Sequence, residues 1–178
     1  MVLDYEDFPR TAELVAKLAV RDDEADADYD RRVAAALPNL PDEVRMDWFR
    51  HGTDVLENTC FLDHARLRFR RETWAVDLFR RVSTREDSTI QAWQEMLTIR
   101  DPGHLSEVSV APFMLEHGTW PVPPSVLVGQ PRRVGTLAIG PTFLIEGHHR
   151  LAYLLSMTAE AHPMLQASHA TWVAEESG

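Results

Sequence analysis

The chain has 178 residues, 44% of them hydrophobic, and a formal net charge of −10. The apolar content suffices for a packed core, and the negative charge disfavours general nucleic-acid binding, because such binders usually present a basic surface to phosphates. No apolar run approaches the roughly 18–20 residues of a membrane span, and the acidic N-terminus does not resemble a secretory signal. Together with a single cysteine, Cys60, which cannot form an internal disulfide, these features predict a cytoplasmic protein without membrane contact.

The first hundred residues carry the spacing of amphipathic helices. In the segment TAELVAKLAV, Leu14, Val15 and Leu18 fall on one stripe, as in a helix that buries one face. A second helix is predicted over DADYDRRVAAAL and a third from Pro41, because proline and the acids that follow it favour a helix start. We expect the third helix to continue, with a break near Gly52, through the arginine-rich stretch HARLRF. The segments ETWAVDLFRRV and STIQAWQEMLTI predict two further helices.

Charge is divided unevenly along this part of the chain. Residues 1–63 hold 16 acidic against 7 basic residues, whereas residues 64–81 hold 6 arginines against 2 acids. The simplest interpretation is that a basic helix pairs internally with an acidic helical layer. The alternative is an acidic face that binds a basic protein partner.

The composition changes at the DPG sequence near residue 102, after which proline, glycine and β-branched residues become frequent. The runs VSVAPF, PPSVLVG and TFLIEG are typical of strands. A short helix is predicted to end at Gly118, the residue type favoured at a helix C-cap, and a longer helix to run through GHHRLAYLLSMTAE. A closing strand is expected in MLQASHATWVAE. The chain thus divides into a helical region, residues 1–103, and an α/β region, residues 104–178.

The stretch FLIEGHHRLAYL is the segment whose residue types point to chemistry. Gly147 permits a sharp bend between a strand and a helix. The helix would begin with unpaired backbone N–H groups at the positive end of its dipole, beside His148 and His149. Arg150 can grip a phosphate through two parallel hydrogen bonds, and Glu146 or His148 can serve as an acid or a base. This pattern predicts a phosphate- or carboxylate-binding turn.

The same residues also have a plain structural interpretation. Histidines at a helix start often cap the helix or face water, and Glu146 and Arg150 are spaced to pair with each other. Metal binding is not predicted, because the adjacent His148 and His149 point about 100° apart on a helix and rarely share one ion.

The segment LIEGHHRLAYL, together with the preceding PVPPSVLVG, resembles the signature of the ParB/sulfiredoxin superfamily. That signature is a strand, a short Asp/Glu-Gly-x-His/Arg-Arg turn and an alanine-rich helix. The resemblance covers about residues 108–176, less than half of the chain. In the superfamily this turn binds nucleotide phosphates, and its members include chromosome-partition proteins that hydrolyse cytidine triphosphate, sulfiredoxin and free-serine kinases.

Together with the helical pattern of the first hundred residues, the resemblance implies an α+β protein in which a helical N-terminal layer packs on a small ParB/sulfiredoxin-like α/β unit. It also implies a nucleoside triphosphate with magnesium as the cofactor. The residues expected to contact phosphate are Gly147, His148, His149 and Arg150. Arg132 and Arg133, in the loop ahead of the motif strand, are possible additional anion contacts. Two features depart from the superfamily: Cys60 lies outside the resembling segment, and no helix-turn-helix follows the motif.

Two functions from different classes follow. The first is a cytoplasmic phosphate- or nucleotide-binding protein, with Glu146 and His148 as catalytic residues of a phosphotransferase or nucleotide hydrolase. The second is a non-catalytic interaction protein, such as an antitoxin or immunity protein, whose acidic helices bind a basic protein partner. The polar turn favours the first function, and the acidic half of the chain favours the second.

Overall fold

The structure is a computed structural model that describes residues 4–49, 52–85 and 87–177. Within these ranges the helices are α1 (Pro9–Leu18), α2 (Asp26–Ala36), α3 (Asp42–Trp48), α4 (Asp54–Asn58), α5 (Val76–Phe79), α6 (Asp87–Thr98), α7 (Ala111–His117) and α8 (His148–Ala159). The strands are β1 (Leu67–Ala75), β2 (Ser125–Val128), β3 (Arg132–Val134), β4 (Leu137–Ile139), β5 (Thr142–Glu146) and β6 (Ser168–Glu176). The α+β class predicted from the sequence is confirmed.

Four of the strands form one mixed sheet in the order β1-β6-β2-β5. Strand β6 runs antiparallel to β1 and parallel to β2, and β5 runs antiparallel to β2. Strands β3 and β4 form a separate hairpin. Since β1 comes from the first hundred residues and β6 from the end of the chain, the sheet joins the helical and the α/β parts.

The arginine-rich stretch forms a strand, and the prediction of a helix there is wrong. Strand β1 pairs with β6 along its whole length. Leu67 and Trp74 are buried, whereas Arg68, Arg70 and Arg71 are exposed. Pairing with a distant strand therefore overrides the local helical spacing. The helix expected to run into this stretch ends with α3, and the short α4 and a 3-10 helix (His64–Arg66) precede β1.

The predicted pairing of these arginines with the acidic N-terminal helices is also wrong. Among the described residues, Arg70 forms ion pairs with Glu72 and Glu175, and Arg80 pairs with Asp77. The acidic helices instead form ion pairs with arginines of their own region. The acidic layer is therefore partly neutralised by its own arginines, while many of its carboxylates lie exposed.

Most elements predicted for the second part of the chain are confirmed. Helix α7 ends before Gly118, whose φ of 68° is the left-handed C-cap conformation expected there. Strands β2, β5 and β6 and helix α8 lie in the segments predicted for them. The strand expected in VSVAPF is wrong, because residues 108–110 form turns and bends that lead into α7.

Two hydrophobic clusters pack against the sheet. Strand β5 contributes Phe143 and Ile145 to the cluster that contains the helices α1 to α4. Its intervening residue, Leu144, belongs to the cluster with α6, α7 and α8. Because side chains alternate between the faces of a strand, the two clusters lie on opposite faces. The turn after β5 therefore lies at the edge between the two faces of the sheet, where the helices that cover each face approach each other.

Candidate functional site at the start of helix α8

Gly147 forms the bend that the sequence predicts. Its φ of +106° lies in a region that residues with a Cβ rarely adopt. A Cβ at this position would also lie 2.5 Å from Cβ of Pro124 and 3.1 Å from Nε of Arg150. Helix α8 begins at the next residue, His148, and Gly147 has no side chain to cap its first N–H groups.

Arg150, on the inner side of this turn, is 5% exposed and bound within the protein. Its Nη1 and Nη2 donate to the two carboxylate oxygens of Asp47 at 3.0 and 2.6 Å, and Nη1 also donates to the carbonyl of Val122 at 3.1 Å. Glu146 Oε1 lies 3.8 Å from Nη2. This two-pronged pair ties α8 to α3. Both terminal nitrogens are engaged, so a grip on phosphate would require breaking the pair with Asp47.

A hollow of about 180 Å³ opens on the other side of the turn, beside the half-buried His148. Its polar lining consists of Asn58, Thr59, Arg85, Thr89 and His148, and its apolar lining of Trp93 and residues 143–145 of β5. Arg85 Nη1 donates to the carbonyl and the side-chain oxygen of Asn58 at 3.2 and 3.0 Å. These bonds hold the guanidinium against the end of α4. A guanidinium, the amide of Asn58 and the hydroxyl of Thr89 therefore converge at the start of α8. The Thr59 hydroxyl, by contrast, is bonded to the carbonyl of Val55 and to His64.

His149 packs among aromatic rings. Its ring stacks on Trp93 with 3.9 Å between centroids, and the rings of His104 and Tyr153 are each 5.9 Å away. The partial desolvation of its ring lowers the pKa of His149, although the residue stays exposed at its edge, and the neighbouring His104 and Arg150 lower it further. His149 is therefore held mainly in its neutral form near neutral pH.

The structure does not bring Arg132 and Arg133 to this turn. Both lie in β3, and Arg132 pairs with Glu176 at the last position of β6. Glu146, just before the turn, pairs with Ser125 at the first position of β2. Because β6 and β2 are parallel, the two arginines lie towards the opposite end of these strands.

Several residues of the site were not found by sequence reasoning. The residues that were not predicted as site residues are Asp47, Arg85, Trp93 and His104. The sequence separation of Asp47 and Arg150, 103 residues, hides their pairing from any local motif. One signal was available: Asp47 lies three residues after the buried Val44, which places it towards the inner face of α3.

Comparisons with protein-family models, with curated proteins and with solved structures find no match to this chain. The resemblance of the EGHHR turn to the ParB/sulfiredoxin superfamily therefore rests on its residues and stays a prediction. In the part of the chain that the structure describes, no group of three or more His, Cys, Asp or Glu side chains is placed to hold a metal ion. No described helix is both long enough and apolar enough to span a membrane.

Proposed function

We propose that the protein binds a small phosphorylated ligand in the hollow beside His148. The observation that carries the proposal is the convergence of Arg85, Asn58 and Thr89 on the start of α8. A guanidinium suits a phosphate through paired hydrogen bonds, and the positive end of a helix favours an anion.

The residues of the turn take different roles in this proposal. Arg85 and the first N–H groups of α8 donate to the phosphate, and His148 supplies a protonatable group beside it. Arg150 fixes the orientation of α8 through Asp47. Glu146, which approaches Arg150, supports the same inner pair. His148, which is expected to serve as an acid or a base, would do so from the wall of the hollow.

The size of the hollow limits the ligand. Its volume of about 180 Å³ is below the roughly 300–1,000 Å³ of typical ligand pockets. A phosphate with a small substituent fits this volume, whereas a nucleotide would leave its base outside. A nucleoside triphosphate with magnesium, the cofactor that the superfamily resemblance implies, is therefore tested beside simpler phosphates.

Thermal unfolding with added ligand tests the proposal. Inorganic phosphate, ATP and CTP are titrated with and without magnesium, and a ligand at one hundred times its Kd should stabilise the protein by about 2.7 kcal/mol. We expect Arg85→Ala to abolish this gain. Arg133→Ala, which removes an exposed arginine of β3, should retain it. An absence of stabilisation with every ligand, or an equal gain in Arg85→Ala, would contradict the proposal.

A second candidate function is binding of a basic protein partner by the acidic N-terminal helices. The observation that favours it is that many acids of this region are exposed, namely Asp4, Glu6, Asp7, Glu13, Asp22, Asp23 and Asp26. A surface with an excess of negative charge speeds and orients association with a positively charged partner. A purified basic protein that binds the unaltered chain should not bind a variant with Glu13→Gln, Asp22→Asn and Asp26→Asn. Equal capture by both proteins would exclude this function.

A further inference from the structure

Strand β1 lies at the edge of the sheet, and its ladder with β6 determines which backbone groups point away from the sheet. Just beyond its two ends, the N–H of Ser177 donates to the carbonyl of Arg66 at 3.0 Å, and the N–H of Val76 donates to the carbonyl of Ala167 at 3.4 Å. In an antiparallel pair the bonded residues alternate. The even-numbered residues of β1 therefore bond to β6, and the odd-numbered residues direct their N–H and C=O groups to the open edge.

The open edge consists of the backbone of Phe69, Arg71 and Thr73. At its beginning, the carbonyl of Leu67 accepts a hydrogen bond from Nδ2 of Asn39 at 2.9 Å, which closes that end. No hydrogen bond formed among the described residues uses the outward N–H and C=O groups of the three residues that follow. Arg71 and Thr73 are exposed. A run of outward donors and acceptors is thus accessible to another strand.

The charge of this edge determines which occupant suits it. Arg68 and Arg70 project from one face of β1 and Arg71 from the other, and all three are exposed. Positive side chains on an edge strand commonly protect a protein against association with its own copies. Here, antiparallel pairing of two copies centred on Arg71 would place one Arg71 against the other. Arg70 is already paired with Glu72 and Glu175, so the positive charges of Arg68 and Arg71 are the ones that favour a negatively charged segment.

We propose that the open edge of β1 binds an extended acidic segment of a partner protein by β-strand addition. Phe69, Arg71 and Thr73 supply the main-chain hydrogen bonds, and their number sets the affinity. Two arginines supply the specificity: acidic residues three positions apart on the partner strand stand opposite Arg68 and Arg71 in either strand direction. This surface is separate from the hollow at α8, so a negative result for one proposal does not contradict the other.

Fluorescence anisotropy with a synthetic strand tests the proposal. The probe is a labelled nine-residue peptide of valine and threonine with glutamate at the i and i+3 positions. One control peptide has lysine in place of glutamate. A second keeps the glutamates but carries N-methyl groups on the alternate amides that would face β1, so that its charge is intact and its hydrogen bonds are blocked. We expect the probe to bind, and neither control peptide to bind.

Two protein variants separate backbone pairing from charge. Thr73→Pro removes an outward N–H and no bond to β6, a substitution that edge strands tolerate, and it should weaken probe binding about tenfold. Thr73→Ser is its matched control and should bind as the unaltered protein does. Arg68→Ala should weaken binding about threefold and reduce its salt dependence, whereas Arg31→Ala on the exposed face of α2 should not.

Four results would overturn the proposal. They are failure of the glutamate peptide to bind, equal binding of the lysine peptide, equal binding of the N-methylated peptide, and a homodimer in sedimentation that Thr73→Pro dissociates. The last result would assign the edge to a second copy of the chain. The N-methylated peptide keeps the experiment decisive even where Thr73→Pro impairs folding, because it requires no change in the protein.

Discussion

The two sides of the turn at the start of α8 use polar residues in opposite ways. On the inner side, Arg150 is buried and both of its terminal nitrogens are bound by the protein. On the outer side, His148 lines a hollow together with Arg85. Residues two apart on a helix point about 200° apart, so Arg150 and His148 must face opposite directions. The EGHHR motif looks like one polar cluster in the sequence. In the structure it divides into a structural half, which contains the buried Arg150, and an accessible half, which contains His148.

This division teaches that the residue best suited to bind phosphate need not be the residue that meets the ligand. A buried guanidinium requires a partner, because an unpaired buried charge costs several kcal/mol. Asp47 meets this requirement and connects the two helical layers at the same time. The predictions below test the division, beginning with the largest expected effect.

Asp47→Ala should destabilise the protein by about 3 kcal/mol, because it leaves the buried Arg150 without its two-pronged partner and with only the more distant carboxylate of Glu146. Urea unfolding measures the loss. Asp42→Ala is the matched control on the same helix, since the Asp42 side chain is 87% exposed and its ion pair with Arg45 should contribute less than about 1 kcal/mol. An equal loss of stability in the two variants would contradict the structural role assigned to the Asp47–Arg150 pair.

Gly147→Ala should destabilise the protein by about 2 kcal/mol, because the left-handed backbone and the contact with Pro124 both oppose a Cβ. Gly129→Ala provides the control, since an added Cβ there meets no atom within 4 Å. Chemical unfolding of the two variants gives the difference. Equal stability would show that the bend relaxes easily and does not fix the start of α8.

The low pKa of His149 should make stability depend on pH. A histidine whose pKa is lowered by folding binds fewer protons than it does in the unfolded chain below about pH 6.5. The contribution of neutral His149 to the free energy of unfolding is therefore complete above that pH and is lost as the pH falls towards the folded-state pKa. His149→Gln should lose less stability than the unaltered protein between pH 7 and pH 5, and NMR should show His149 titrating below its ordinary value. An ordinary titration would contradict the packing on Trp93.

Arg85→Ala should have the smallest effect on stability, about 1 kcal/mol or less, because its hydrogen bonds to Asn58 lie at the surface. The same variant should remove all stabilisation by phosphate, whereas Asp47→Ala should retain a ligand response at temperatures where it is folded. Comparison of melting curves with and without phosphate separates the two halves of the turn. A large loss of stability in Arg85→Ala without ligand would show that Arg85, like Arg150, has a structural role.

Much of the second half of the chain could be predicted from local patterns. Gly118 ends α7 as expected, and Gly147 bends the chain between β5 and α8 as expected, because both positions require backbone angles that glycine adopts at low cost. The runs that became β2, β5 and β6 are apolar or alternating over the length of a strand. These features are local, and the structure retains them.

The prediction failed where distant parts of the chain decide the outcome. The stretch around Arg68 and Arg70 carries a pattern compatible with either a helix or an exposed strand, and only β6, about a hundred residues away, selects the strand. In the same way, the residues EGHHR show a charged turn but not which side each residue faces.

The sequence alone thus determined the elements that depend on local backbone preference, above all the strand, the glycine bend and the helix around Gly147. Only the tertiary structure determined that β1 is an edge strand, that Arg150 pairs with Asp47 and that Arg85 stands beside His148. The physical reason is that backbone angles and burial periodicity are encoded within a few residues. The partner of a charge, by contrast, is chosen by packing between segments that the chain brings together only on folding.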